Sequence, residues 1–234
     1  MSRFAMRKAI LKSTMASLMA GGLLLAAGQA WAAPILTLSD GINTLTVIDG
    51  GANDASGVAG AVTFIGSIGN FFLNVTTGVS KPLLGSAAWP NMDLSDISVS
   101  SNGGGTLTIT FSDSGFTGFD GSGALFSAVG GVIDGTARFE VWVDPDNTLL
   151  AKTTRIADLG SFAGAFSNTT SGAFTTGTSP YAITQVAIIT HGAGSISSSF
   201  NLQTKAVPEP ATLGLLGLGL AGLGFIARRR RAAA

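Results

Sequence analysis

The chain has 234 residues, 46% of them apolar and only 11% charged, with 33 Gly and no Cys. A charged share below half of the ~25% typical of soluble domains excludes a charge-driven disordered chain, and the lack of Cys excludes disulfide scaffolds, thiolate metal sites and thiol catalysis. The formal net charge of zero hides a segregation: four basic residues lie within the first 12 positions, four form Arg228–Arg231, and between Ala33 and Ala206 five basic residues stand against 12 acidic ones, a net charge of −7. A body so acidic and so poor in cations is not a nucleic-acid binder.

Residues 1–32 have the organisation of a secretory signal peptide. Arg3, Arg7, Lys8 and Lys12 form a cationic start, Ala16 to Ala27 an apolar core, and Ala30-Trp31-Ala32 supplies the small residues that signal peptidase requires. Cleavage is expected after Ala32, because cleavage one residue later would place Pro34 directly behind the scissile bond. The apolar run is about 12 residues and contains Gly21 and Gly22, well short of the ~20 needed to span a bilayer. Arg7-Lys8 is not a twin-arginine pair, so the general secretion machinery and signal peptidase are the expected partners. An exported body of this size can do without disulfides if it buries enough sheet surface.

Residues 33–206 predict strand after strand and no amphipathic helix. Period-two alternation of apolar residues with Thr or Ser marks strands at 36–38, 44–48, 62–65, 72–75, 97–99, 106–111, 137–143, 182–189 and 196–202. Turn chemistry separates them at Ser39-Asp40-Gly41, Asp49-Gly50-Gly51, Asn102-Gly103-Gly104-Gly105, Asp144-Pro145-Asp146-Asn147 and His191-Gly192. This predicts one all-β domain, an antiparallel β-sandwich of jelly-roll-like type. Residues 161–178 are weakly patterned and read as a long loop or an edge hairpin.

Candidate chemistry within the body is sparse. His191 is the single histidine; a serine triad could in principle pair it with Ser195, but no nucleophile-elbow sequence surrounds any serine, and a turn histidine is the plainer reading. Glu140 alternates with Phe139 and Val141 and reads as an outward charge near Arg138, so a cleft with two catalytic carboxylates is not indicated. The expected class is therefore non-enzymatic. Asp49, Asn53 and Asp54 place three oxygen-bearing side chains within six residues, a candidate calcium site although neither an EF-hand nor a Gly-Gly-x-Gly-x-Asp repeat; Asp144–Asn147 is a second acidic turn. Thr106, Thr108 and Thr110 share one face of a strand, as Thr rows do in ice-binding proteins, though a single row reads first as a solvated strand face. Trp142 belongs to a strand core, whereas Trp89, before Pro90 in a loop, is the candidate exposed aromatic for stacking on a sugar.

Residues 207–234 carry the sharpest signal. Val207-Pro208-Glu209-Pro210 precedes an apolar stretch from Ala211 to Ala227, which ends in Arg228, Arg229, Arg230 and Arg231. As a helix, residues 211–227 would be about 25 Å long, close to a hydrocarbon core, and a bilayer tolerates their glycines better than water does. The arginines would remain cytoplasmic, leaving the body outside. This tail resembles the PEP-CTERM sorting signal of Gram-negative bacteria, whose tail family is also labelled an ice-binding protein C-terminal domain. The resemblance implies that Pro208, Glu209 and Pro210 are the motif recognised by an exosortase. It further implies that 211–227 is a transient anchor in the inner membrane and that Arg228–Arg231 stop transfer. The expected itinerary is an anchored precursor with its body in the periplasm, then the cell surface or medium, in association with exopolysaccharide or biofilm. The alternative expectation is a carbohydrate-binding or adhesive module, calcium-dependent if the Asp49–Asp54 turn binds the ion.

Overall fold

Alternation of apolar and polar residues becomes alternation of buried and exposed ones. The computed structural model describes residues 33–119, 121–177, 180–207 and 218–220. Segment 1–32 with Ala30 and Ala32, the motif 208–210, Arg228–Arg231 and most of 211–227 lie outside the described residues. Residues 218–220 are helical, and among the described residues no helix is long and apolar enough to cross a membrane.

Ten strands follow in order: β1 (Ile35–Ser39), β2 (Thr44–Ile48), β3 (Ala61–Ile68), β4 (Phe71–Val79), β5 (Asn91–Ser101), β6 (Gly105–Phe116), β7 (Ser122–Asp144), β8 (Thr154–Thr175), β9 (Tyr181–His191) and β10 (Ile196–Ala206). Every pairing is antiparallel, in the order β2-β1-β6-β9-β7-β10-β5-β4-β3, with β8 added to β7. The fold is all-β and sandwich-like, and β7 is the reason. One edge of β7 pairs with β10 from Leu125 to Val132, then with β9 from Thr136 to Asp144. Between those stretches the register with β8 breaks, from Ile133 to Ala137. Gly135 (φ 110°) sits in that break, where a Cβ would come within 2.2 Å of the Thr190 carbonyl oxygen. Such a corner carries one strand from one half of the sheet into the other.

The two halves close on an apolar core. Leu36 and Leu38 of β1, Phe111 of β6 and Ile189 of β9 are fully buried, as are Leu73 of β4, Leu94 of β5 and Leu202 of β10. Packing across the halves is close: a Cβ on Gly78 would lie 2.4 Å from the Phe111 ring, and the Phe139 and Phe200 rings meet at 4.9 Å. Gln185 Nε2 of β9 donates to the Leu202 carbonyl at 3.1 Å and to Thr204 Oγ1 at 2.9 Å, tying β9 to β10 through the interior. A buried ion pair, Lys81 Nζ to Asp113 Oδ2 at 2.6 Å, fastens the β4–β5 connection to β6.

Of the expected loop or edge hairpin at 161–178, the hairpin is what forms: residues 161–175 are the greater part of β8, a 22-residue strand paired, among the described residues, only with β7. Most of its residues are exposed or half-buried, so it lacks the alternating apolar set by which a half-buried strand is recognised. The first half of β7 was likewise unmarked, because Gly123, Ala124, Ser127, Ala128, Gly130 and Gly131 supply little apolar contrast.

Candidate functional site

β5 lies between β4 and β10, and both pairings are irregular at the same level. Against β4 the register slips between Leu73 and Val75, leaving Asn74 as the extra residue; against β10 it slips between Phe200 and Leu202, where β5 carries the extra residue opposite Asn201. A bulge unpairs one residue and re-aims its side chain. On the far side of β10, Asn201 stands opposite Gly130 of β7, which has no side chain to fill its place in the row. Together these strands form an open groove of about 590 Å³ on the outer face, lined by Asn74, Ser98, Gly130, Ser199, Asn201 and their neighbours in the strands. Ser98 and Ser199 are register partners across the groove. Exposed Phe72 lies two residues before Asn74, on the same outward side of β4.

None of these residues was marked from sequence as a candidate site. A bulge is a relation between two strands, so one strand's sequence gives no sign of it. The glycine pair Gly130-Gly131 was the one available signal.

The sequence-predicted candidates lie elsewhere. Asp49 and Asp54 line a separate hollow in the β2–β3 connection. Their carboxylates accept backbone amides: Asp49 Oδ2 from Gly60 at 2.7 Å, Asp54 Oδ1 from Ser56 at 2.9 Å and Thr63 at 2.8 Å, and Asp54 Oδ2 from Gly50 at 3.0 Å. A cation there would compete with four N–H donors, and among the described residues no three His, Asp or Glu side chains gather as a metal site. Asp144 is engaged in the same way by Thr148 N at 2.7 Å and by the Thr153 hydroxyl. Trp89 is 48% exposed in the β4–β5 connection. It sits beside the last residue of β10, because Ala206 N donates to the Pro90 carbonyl at 2.8 Å. It does not line the groove, which lies about 17 Å up β10 at five residues' rise.

Glu140 accepts from Arg138 at 2.9 Å, from Arg155 at 3.2 Å and from Trp142 Nε1 at 3.0 Å, while Asp158 takes both arginines at 2.8 and 3.2 Å. Against a desolvation penalty, the Gly160 amide and the Arg138 guanidinium hold Asp158 below the usual carboxylate range. The cluster is an ion network on the β7–β8 face. The Thr106–Thr110 row continues across strands, Thr110 opposite Thr37, Thr37 opposite Thr46, and Thr106 opposite Thr190. Exposure fades along it, from exposed Thr106 to Thr110 at 8%.

His191 is buried, and its partners are Ser101 (Nδ1 to Oγ 2.8 Å) and Ser198 (Nε2 to Oγ 2.9 Å) rather than Ser195. Both serines are buried as well, so the trio joins β9 to β5 and β10 and presents no nucleophile to solvent. Burial lowers the His191 pKa, with Asp134 pulling it up less strongly. A depressed folded pKa gives stability that is complete above the unfolded value of about 6.5 and is lost as pH falls through the lower folded value. Calorimetric melting should therefore decline on acidification below about pH 6.5, and His191→Gln should flatten that decline. An identical acid slope in the variant would assign it to carboxylates instead.

Residues 206–231 match the PEP-CTERM protein-sorting motif, so the chain carries that motif from the last residue of β10 onward. No curated protein sequence matches the chain. Among solved structures, similarity extends to the enzymatically active domain of tailspike protein 4 of bacteriophage CBA120, at 10% identity and TM-score 0.32 over 60% of this chain and 20% of that one. The CBM22-1–GH10 modules of Clostridium thermocellum xylanase 10B, solved with xylohexaose, align at 13% identity and TM-score 0.28 over 62% and 26%. A CBM35 from Paenibacillus barcinonensis aligns at 12% identity and TM-score 0.20 over 64% and 98%. The chain thus spans about a quarter or less of the first two proteins, and likeness at these scores carries no argument about its activity.

Proposed function

We propose that this chain is an exported, non-enzymatic surface or matrix protein, sorted by an exosortase through Pro208-Glu209-Pro210. Signal peptide 1–32 takes it through the general secretion machinery, and signal peptidase cuts after Ala32. The helix 211–227 with Arg228–Arg231 holds the precursor in the inner membrane, with its body, residues 33–206, in the periplasm. Processing near the motif then frees the body for the cell surface or the medium, within exopolysaccharide or biofilm. The observation that supports this reading is the place of the motif: its match starts at Ala206, the last residue of β10, so the sandwich-like body is complete before the tail begins. Val207 N still bonds the Ala124 carbonyl at 3.1 Å, and Pro208 follows at once. Removing the tail therefore takes no strand from the body.

Replacing Pro208, Glu209 and Pro210 by Ala tests the sorting step. The expected result is accumulation of the tail-bearing form in the inner membrane at the expense of the released form, reproduced by the unaltered protein in cells lacking exosortase. Normal tail removal in both backgrounds would refute the reading.

A second reading, a carbohydrate-binding module of jelly-roll-like type, is favoured by the uncharged, hydrogen-bonding groove beside Asn74 and Asn201. Trp89 is its alternative contact, and calcium at Asp49, Asn53 and Asp54 its possible aid. If calcium stabilises that turn, a chelator should lower the melting temperature of the protein and added calcium should restore it; indifference to both would remove calcium from the reading.

A further inference from the structure

We infer that the groove formed by β4, β5, β10 and β7 is a binding site for a neutral, hydroxyl-rich chain molecule, a glycan without carboxylate, sulfate or phosphate groups. This deepens the carbohydrate-binding reading and rests on it.

Three observations carry the assignment. The first is how the groove is made. Two bulges flank this level of the outer face, one with its extra residue on β4 at Asn74 and one with its extra residue on β5 opposite Asn201, and Gly130, the register partner of Asn201, leaves the row between Asn201 and β8 bare. A trough in a sheet face needs a missing side chain, and bulges bend the strands around it; both occur here together.

The second is the state of the polar groups. Among the described residues the side chains of Asn74, Ser98, Ser199 and Asn201 make no internal hydrogen bond, in contrast to Asp49, Asp54 and Asp144, whose carboxylates are held by their own turns. An amide presents a donor and an acceptor side by side, and a hydroxyl is both at once. That is the complement of adjacent sugar hydroxyls, each of which also donates and accepts. Exposed Phe72, one register step away opposite Ser100, offers a flat apolar surface to the C–H face of a ring.

The third is charge. No cation lines the groove, and the body around it has five basic residues against 12 acidic ones. An anionic polymer would meet repulsion with nothing to pair it, so discrimination runs toward uncharged chains.

The glycine geometry supplies the test. A Cβ on Gly130 would meet only the Phe166 carbonyl oxygen, at an ordinary 3.6 Å, so Gly130→Leu fills the groove while leaving the sheet intact. On neighbouring Gly131 a Cβ would press to 2.2 Å from the Ser199 carbonyl, so that position cannot serve. Asn74→Ala and Asn201→Ala remove the two amides from exposed positions and give variants free of any packing change. The full chain, held in a zwitterionic detergent without sugar headgroups, is titrated calorimetrically with cellohexaose, xylohexaose, mannohexaose and hexagalacturonate. The expected result is saturable binding of at least one neutral hexasaccharide and none of hexagalacturonate. Each Asn→Ala variant should bind at least tenfold more weakly, and Gly130→Leu should not bind, at an unchanged melting temperature. Neutral binding equal in all variants would overturn the groove while leaving a carbohydrate-binding body with its site elsewhere. Preference for hexagalacturonate would overturn the neutral assignment while leaving a carbohydrate-binding body, and binding of none of the four oligosaccharides would overturn both.

Discussion

Lys81→Met is expected to lower the unfolding free energy by about 3–5 kcal/mol, the usual consequence of stripping one partner from a buried ion pair. Lys81 and Asp113 are 2% and 0% exposed, with Nζ 2.6 Å from Oδ2. Asp113 Oδ2 also accepts the Ser80 hydroxyl at 2.6 Å, its Oδ1 accepts the Ser114 amide at 2.7 Å, and the ammonium lies 4.1 Å from the centre of the Phe116 ring. Burial lowers the pKa of Lys81 and raises that of Asp113, and each partner's charge works against that shift. With Met at 81 the carboxyl keeps its burial and loses its counter-charge. A carboxyl whose folded pKa is raised contributes stability that is present below its unfolded value and lost as pH rises through the folded one. The variant should therefore weaken further toward alkaline pH, opposite in sign to the His191 effect. The double variant Lys81→Met with Asp113→Leu should recover most of the loss, because a packed apolar pair carries no stranded charge. Denaturant unfolding at several pH values checks both points. A Lys81→Met protein as stable as the original at neutral pH would show that the pair contributes little to the fold.

Gly172→Ala is expected to destabilise the body by about 3 kcal/mol, the upper end of the range for overpacking a filled core. Gly172 pairs with Leu125 of β7, and a Cβ there would lie 1.7 Å from the Ile156 carbonyl oxygen. Both residues belong to β8, 16 positions apart, so the two halves of that strand approach each other backbone to backbone as the β7–β8 hairpin wraps the core. No rotamer change relieves a contact with a carbonyl oxygen; one half of β8 has to move. Gly130→Ala is the control, because its Cβ meets nothing nearer than 3.6 Å. Equal thermal stability of the two variants would show that the halves of β8 are not in contact.

The same two sites show what was legible in the sequence. β2 was marked at its observed limits, Thr44–Ile48, β1 and β9 to within two residues at each end, and β6 at its start but five residues short of Phe116, because each alternates large apolar side chains with Thr, Ser or Gln over the marked stretch. β8 follows a different rule. As a strand joined to a single partner it keeps mostly small and polar side chains, and Gly172 stands where the fold demands close approach rather than apolar bulk. The Lys81–Asp113 pair spans 32 residues of chain, and His191 reaches Ser101 across 90. Such partners are chosen by sheet topology and leave no spacing to recognise. The tail was legible for the opposite reason. The information of a sorting motif is local in sequence, and Pro208-Glu209-Pro210, the apolar stretch and the arginines stand in unbroken order.

The most direct test of the sorting account is the intact mass of the protein recovered from producing cells, separated into inner membrane, surface and medium. The account predicts a chain that begins at Ala33, ends between Val207 and Pro210, and lies outside the inner membrane. A chain that retains Ala211 to Ala234 and stays in the inner membrane would contradict it, and would make the tail a permanent anchor.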